Sequence, residues 1–242
     1  MIKNMWYSID NTYFFGGIIL GLTAFAAWLN ATFSGMDSAV SHFAFSLHES
    51  AAGGFFDRLF PFLTLFGNGG IFFIAVAVVC LLFKKERRTG ATMLIALLFG
   101  LLVTNIALKN GIARPRPYAD ELSSFFTYWQ AIGHGLENEI YSFPSGHATA
   151  SFAAMTAVFL CGNKKYSFLA YIPALLIGFS RIYIQVHYAS DIVGGAIVGT
   201  LCGVVAWLLI RFWFRKMAAS DKPAALFITN ADILHHLKKK EV

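Results

Sequence analysis

Six apolar runs, near residues 14–29, 70–83, 91–108, 148–161, 168–179 and 192–210, constrain this chain more than any other feature. A helix needs about 20 apolar residues to cross roughly 30 Å of hydrocarbon. Inside the bilayer its backbone groups must all be satisfied within the chain, so a helix is the natural form for such runs. Several of them reach the required length only by drawing on flanks such as 59–69 or 180–186. With 57% hydrophobic and 13% charged residues, a soluble domain is a poor fit. The expected fold class is all-α: an integral-membrane bundle of about six transmembrane helices. Residues 34–69, with clusters such as "FFDRLFPFLTLF", are expected to form interfacial amphipathic helices between the first two spans.

Charge placement orients the bundle. With the N-terminus inside, Lys3, Lys84, Lys85, Arg87, Arg88, Lys164, Lys165, Arg211, Arg215, Lys216, Lys222 and Lys238 to Lys240 all fall on the cytoplasmic side, 14 of the 19 cations. That is the positive-inside bias, and it accounts for the net charge of +6 without nucleic-acid binding. The remaining cations, Arg58, Lys109, Arg114, Arg116 and Arg181, break the rule. Cations held near membrane depth on the disfavoured side mark a functional site. No linker divides the chain, so residues 1–216 read as one integral-membrane domain and 217–242 as a polar cytoplasmic tail. Ala24-Phe25-Ala26 looks only loosely like a cleavage site, and residues 14–29 read as a retained span. Cys80, Cys161 and Cys202 lie within apolar runs and imply no disulfide or metal framework.

Three polar stretches interrupt the apolar pattern. In "YSFPSGHATA", Pro144 closes a loop, Ser145 is a good N-cap, and Gly146 to Cys161 can run as a helix. The free N–H groups of such a start form an anion site, and the glycine lets an oxyanion approach closely. In "SRIYIQVHYASD", His187 and Asp191 share a face if 187–191 is helical. The carboxylate would then fix the imidazole tautomer and leave its other nitrogen free to attack. In "KNGIARPRP", Lys109 supplies a compact charge and either Arg114 or Arg116 a planar fork suited to phosphate oxygens. Gly195, Gly199 and Gly203 recur every four residues and make a smooth face for helix packing. Pro173 is expected to kink the fifth span near its middle. Asp120, Glu121, Glu137 and Glu139 read as solvated loop charge.

Taken together, these stretches resemble the signature of the type 2 phosphatidic acid phosphatase superfamily. The pattern is Lys109, six residues, then Arg116-Pro117; Pro144-Ser145-Gly146-His147; and Ser180-Arg181, five residues, His187, three residues, Asp191. It spans residues 109–191, and the resemblance selects Arg116 over Arg114, leaving Arg114 without a role. It implies a six-helix membrane bundle with its site on the extracytoplasmic face. His187 would be the nucleophile forming a phosphohistidine, oriented by Asp191. His147 would serve as general acid and then as base, and Lys109, Arg116, Ser145, Gly146 and Arg181 would hold phosphate oxygens. The implied reaction is metal-independent hydrolysis, without a cofactor, of the terminal phosphate of a lipid: phosphatidylglycerophosphate, phosphatidate or undecaprenyl diphosphate. A paired neutral nucleophile and protonated acid predict a bell-shaped pH–rate profile. Two other readings remain open here: a lipid phosphotransferase using the same site, and a membrane transporter, for which Thr104 and Asn105 are deep polar residues.

Overall fold

The computed structural model describes the backbone of residues 2–136 and 139–219 and the side chains of those from residue 24 onward. Residues 14–23 of the expected first span are therefore described as backbone only, and Glu137 and the tail beyond 219 lie outside the described residues. The described chain is helical: α1 (Ile2–Glu49), α2 (Gly53–Leu65), α3 (Ile71–Leu82), α4 (Arg87–Leu101), α5 (Lys109–Ile112), α6 (Ser124–Ile132), α7 (Gly146–Cys161), α8 (Tyr171–Tyr183) and α9 (Ala189–Ala218). No strand occurs among the described residues, only an isolated bridge between Pro115 and Tyr141.

Among the described residues, two helices are long and apolar enough to cross a membrane. They are Arg87–Ile112, in which α4 and α5 are joined through a π-helical segment, and α9. At 1.5 Å per residue their 26 and 30 residues extend about 39 and 45 Å, more than the hydrocarbon core requires. The pair α2 and Asn68–Leu82, bent by 44° at a short break, passes the same test when taken as one span. Helix α7 and the segment Ser167–Tyr183 are apolar but shorter.

Residues 34–49 do not form a separate interfacial helix. They continue α1, which buries Asp37, Ser41 and Ala44 along one side. The one glycine on the way, Gly35, faces open space, and no proline intervenes, so nothing stops the helix before Ser50. Between Gly53 and Leu65 the chain does form a short helix, α2, which packs against α8. Pro173 also departs from expectation. It is the third residue of α8, in the first turn, where its missing N–H has no intrahelical partner to lose, rather than at a mid-helix position.

Helices α4, α7 and α9 pack on one another at the centre. The glycine face of α9 makes this possible: an added Cβ would stand 2.6 Å from the Ser145 carbonyl oxygen at Gly195, 2.4 Å from that of Thr149 at Gly199, and 2.6 Å from Thr156 Cβ at Gly203. Backbones this close leave no room for side chains between them. On the other side of α7, Phe73, Met93, Leu97, Met155 and Ile177 join α3, α4 and α8 in a buried apolar cluster. The result is a rigid helical frame on which α7 and α9 begin side by side.

Candidate active site

The starts of α7 and α9 are tied directly together, since the Ser145 N–H donates to the Asp191 carbonyl oxygen at 3.1 Å. Ser145 is the N-cap of α7, and its hydroxyl accepts from the Ala148 N–H at 3.5 Å, as its sequence position led one to expect. At Gly146 a Cβ would find only Asn105 Oδ1, 3.6 Å away. The protein therefore does not demand glycine there for its own packing, and the open space suits a ligand oxygen approaching the helix N-terminus.

His187 arrives from the end of α8. After Tyr183 the chain reverses through Gln185, whose φ of 59° is left-handed and whose side-chain amide donates to the Ser41 carbonyl oxygen at 3.2 Å. The expected helix over 187–191 is not present: Tyr188, in extended conformation, caps α9, and His187 precedes it in a bend. The pairing with Asp191 survives for another reason. As the third residue of α9, Asp191 folds back so that Oδ2 accepts from the Tyr188 N–H at 2.9 Å and lies 3.4 Å from His187 Nδ1. The opposite nitrogen, Nε2, lies 3.3 Å from Arg116 Nη1. Burial, followed by the charges of Arg116, Arg181 and Lys109, pulls the His187 pKa well below the ordinary histidine value. The ring is thus neutral near pH 7 and available as a nucleophile.

Cations surround it. Arg116 is buried, donating from Nη1 to the Val186 carbonyl oxygen at 2.8 Å and from Nη2 to Glu139 Oε2 at 2.9 Å. Arg181, at the end of α8, donates to Thr64 Oγ1 at 2.9 Å. Lys109, delivered by the π-helical segment, is paired with Glu139. Glu139 is exposed, as expected of a loop acid, but it is also paired. Its carboxylate rests on two of the cations expected to hold phosphate, where it stands in for an anion. Asp120 and Glu121 are exposed, as read from the sequence.

Arg114, which the sequence left ambiguous, lies behind the site. Its Nη1 donates to Asp191 Oδ1 at 2.6 Å and Ser190 Oγ at 2.7 Å, Nη2 to Asp37 Oδ2 at 2.9 Å, and Nε to Asn30 Oδ1 at 2.8 Å. Asp37 also accepts from the Ser190 N–H at 2.8 Å, pinning α1 to the start of α9. Tyr188 stacks on the guanidinium, 4.0 Å from ring centroid to Cζ, and burial holds its phenol up at about 12. The two arginines of "RPRP" thus divide the work, one supporting Asp191 and the other facing His187.

A cavity of about 300 Å³ is lined by both polar groups and apolar side chains, of which Ile74, Leu98 and Leu101 are partly exposed. His147, His187, Lys109, Glu139 and Gly146 line one end, while Ile74, Leu94, Leu97, Leu98 and Leu101 line the other. His147 occupies its wall with Nε2 2.8 Å from Asn68 Oδ1. Thr104, one of the two deep polar residues, spends its hydroxyl on Thr149 Oγ1 at 3.1 Å, while Asn105 faces the cavity. All eight residues singled out in the sequence therefore converge, and they are joined by Asp37, Thr64, Asn68, Arg114 and Glu139. Of these, Asp37 carried a usable signal, being an acid within a long helical stretch. Asn68 lay in the glycine-rich "GNGG" without a partner visible nearby.

A family model described as the PAP2 superfamily matches residues 89–215. The chain is similar to the undecaprenyl-diphosphatase of Sulfolobus acidocaldarius, with 27% identity over 142 residues, 59% of this chain and 65% of that one. It is also similar to phosphatidylglycerophosphatase B of Bacillus subtilis, with 29% identity over 154 residues, 59% of this chain and 63% of that one. The matched region spans just under two thirds of the length of these relatives. In fold alone it is similar to the crystal structure of a transmembrane PAP2 type phosphatidylglycerolphosphate phosphatase from Bacillus subtilis. That likeness has a TM-score of 0.54 and 22% identity, covering 82% of this chain and 96% of the other.

Proposed function

Because this chain belongs to the PAP2 superfamily, we propose that it is a membrane-embedded lipid phosphatase working through a phosphohistidine. The observation that carries the reading is the arrangement of His187. Its Nδ1 is turned to Asp191, and Nε2 lies beside Arg116, in a cavity shared with His147, Gly146 and Lys109. A neutral imidazole so held attacks phosphorus through Nε2, and the bond from phosphorus to the lipid oxygen breaks. His147 gives that oxygen its proton. Water then attacks phosphorus, His147 takes the water's proton, and orthophosphate leaves as the N–P bond breaks and His187 is restored. Lys109, Arg116, Arg181, Ser145 and the Gly146 N–H balance the charge on the phosphoryl oxygens throughout. No step calls for a metal ion, and the cations around His187 suit an anion rather than a divalent metal.

The apolar end of the cavity suits a hydrocarbon tail, which makes a lipid the natural substrate. The relatives' names point to undecaprenyl diphosphate and phosphatidylglycerophosphate, and phosphatidate shares their chemistry. In the membrane we assign six crossings, to α1, the bent α2–α3 pair, α4 with α5, α7, α8 and α9. Both termini are then cytoplasmic and the site lies on the extracytoplasmic face, in keeping with the cation distribution. The test is phosphate release by detergent-purified protein in excess chelator, wild type beside His187→Ala, on all three lipids. Release by the wild type alone, with phosphate trapped on histidine after acid-free quenching, supports the reading. Equal release by the two proteins removes His187 as the nucleophile, and phosphorylation of an added lipid alcohol would make the enzyme a transferase.

A further inference from the structure

The break between α2 and α3 is built around the ring of His147. Gly67 packs against that ring so closely that a Cβ there would be 2.5 Å from His147 Cδ2. The next residue, Asn68, meets it with Oδ1 2.8 Å from Nε2. Two left-handed residues follow, Gly69 with φ 56° and Gly70 with φ 68°, a pair of conformations that side chains would resist. They turn the chain into α3 immediately after Asn68 has been presented. One helical turn earlier, Thr64 accepts from Arg181. The same break therefore touches the site at two points.

We propose that Asn68 is a positioning residue that orients His147 and keeps a proton on its Nε2. A carbonyl oxygen only accepts, so the nitrogen facing it must donate. The same amide dipole favours the imidazolium, which is the form a general acid needs before the lipid oxygen leaves. This support matters because the other charged groups around the ring are mostly cationic, Lys109, Arg116 and Arg181, beside the neutral His187, with Glu139 across the cavity. Asn68 stands 79 residues from its partner, beyond the reach of any local sequence pattern.

The inference rests on the phosphatase reading, and the experiment separates the two. It measures kcat/KM for Asn68→Leu and Asn68→Asp on two substrates, a short-chain phosphatidate and p-nitrophenyl phosphate. The alkoxide of the lipid needs a proton to leave, whereas nitrophenolate leaves without one. With the acid misplaced in Asn68→Leu, kcat/KM on phosphatidate is expected to fall about 10²-fold while that on p-nitrophenyl phosphate stays within about threefold. In Asn68→Asp a carboxylate faces the imidazolium and moves the basic limb of the phosphatidate profile up by about one unit or more. Equal losses on both substrates, or a basic limb that does not move, would leave Asn68 a merely structural residue and overturn the inference alone. Absence of wild-type turnover, or full activity of His147→Ala, overturns the phosphatase reading and the inference with it.

Discussion

Replacing Arg114 with leucine tests whether the buried charge cluster behind the site holds the fold together. Arg114 is 1% exposed and its two carboxylate partners, Asp37 and Asp191, are 2% and 0% exposed. Every nitrogen of its guanidinium is engaged, at 2.6 to 2.9 Å, by Asp191, Ser190, Asp37 or Asn30. Leucine would fill much of the volume but strand two carboxylates out of reach of water. Removing one partner of a buried ion pair costs about 3–5 kcal/mol. For a chain of this size each kcal/mol is worth about 2–4 °C, so the melting temperature should fall by about 6–20 °C. The assay is intrinsic tryptophan fluorescence during heating of the detergent-purified protein. Adding Asp37→Asn to the Arg114→Leu background removes one stranded charge and should return part of the loss, a coupling of about 0.5–3 kcal/mol. A melting temperature for Arg114→Leu within about 2 °C of wild type, or strictly additive effects in the double variant, would refute the idea that this cluster is held by charge.

Three further expectations rest on separate contacts. Burial and its cationic neighbours hold the His187 pKa below the usual 6.5, so the ring stays unprotonated as the pH falls through that value. The acid limb of kcat/KM, which reports the free enzyme, should therefore lie below pH 6.5, and a limb above it would contradict the assignment of His187 as nucleophile. Glu139 occupies Lys109 and Arg116; in Glu139→Gln orthophosphate should inhibit up to about fivefold more tightly, whereas weaker inhibition would mean that the carboxylate does not compete with phosphate. Gly199→Ala places a Cβ 2.4 Å from the Thr149 carbonyl oxygen. Such overpacking should cost about 1–3 kcal/mol, and an unchanged melting temperature would show that α7 and α9 can part without penalty.

Local chemistry was legible without coordinates. Serine before an apolar run caps a helix wherever it occurs, so Ser145 and the start of α7 fell where the sequence put them. A glycine every fourth residue lies on one face by helical geometry alone, and Gly199 duly meets the backbone of α7. Where several conformations compete, the sequence reading went astray. Pro173 could open a helix or bend one, and only its place in the first turn decided which. His187 and Asp191 met as expected, but through a side chain folding back from the third residue of α9 rather than through a shared helical face.

The amino-acid sequence by itself marked the apolar helices, the asymmetry of charge and the serine cap of α7, because each follows from periodicity, composition or capping within a few residues, whereas the set of eight site residues came from resemblance to the superfamily signature. The tertiary structure alone decided the partners. Arg114 reaches Asp37 across 77 residues, His147 reaches Asn68 across 79, and Glu139 reaches Lys109 across 30. Contacts of that range are set by how α1, the α2–α3 break and the loop carrying Glu139 are laid against α7 and α9. No rule of local spacing encodes that packing, which arises from close approach of whole helices and from burying charges only where a counter-charge awaits them.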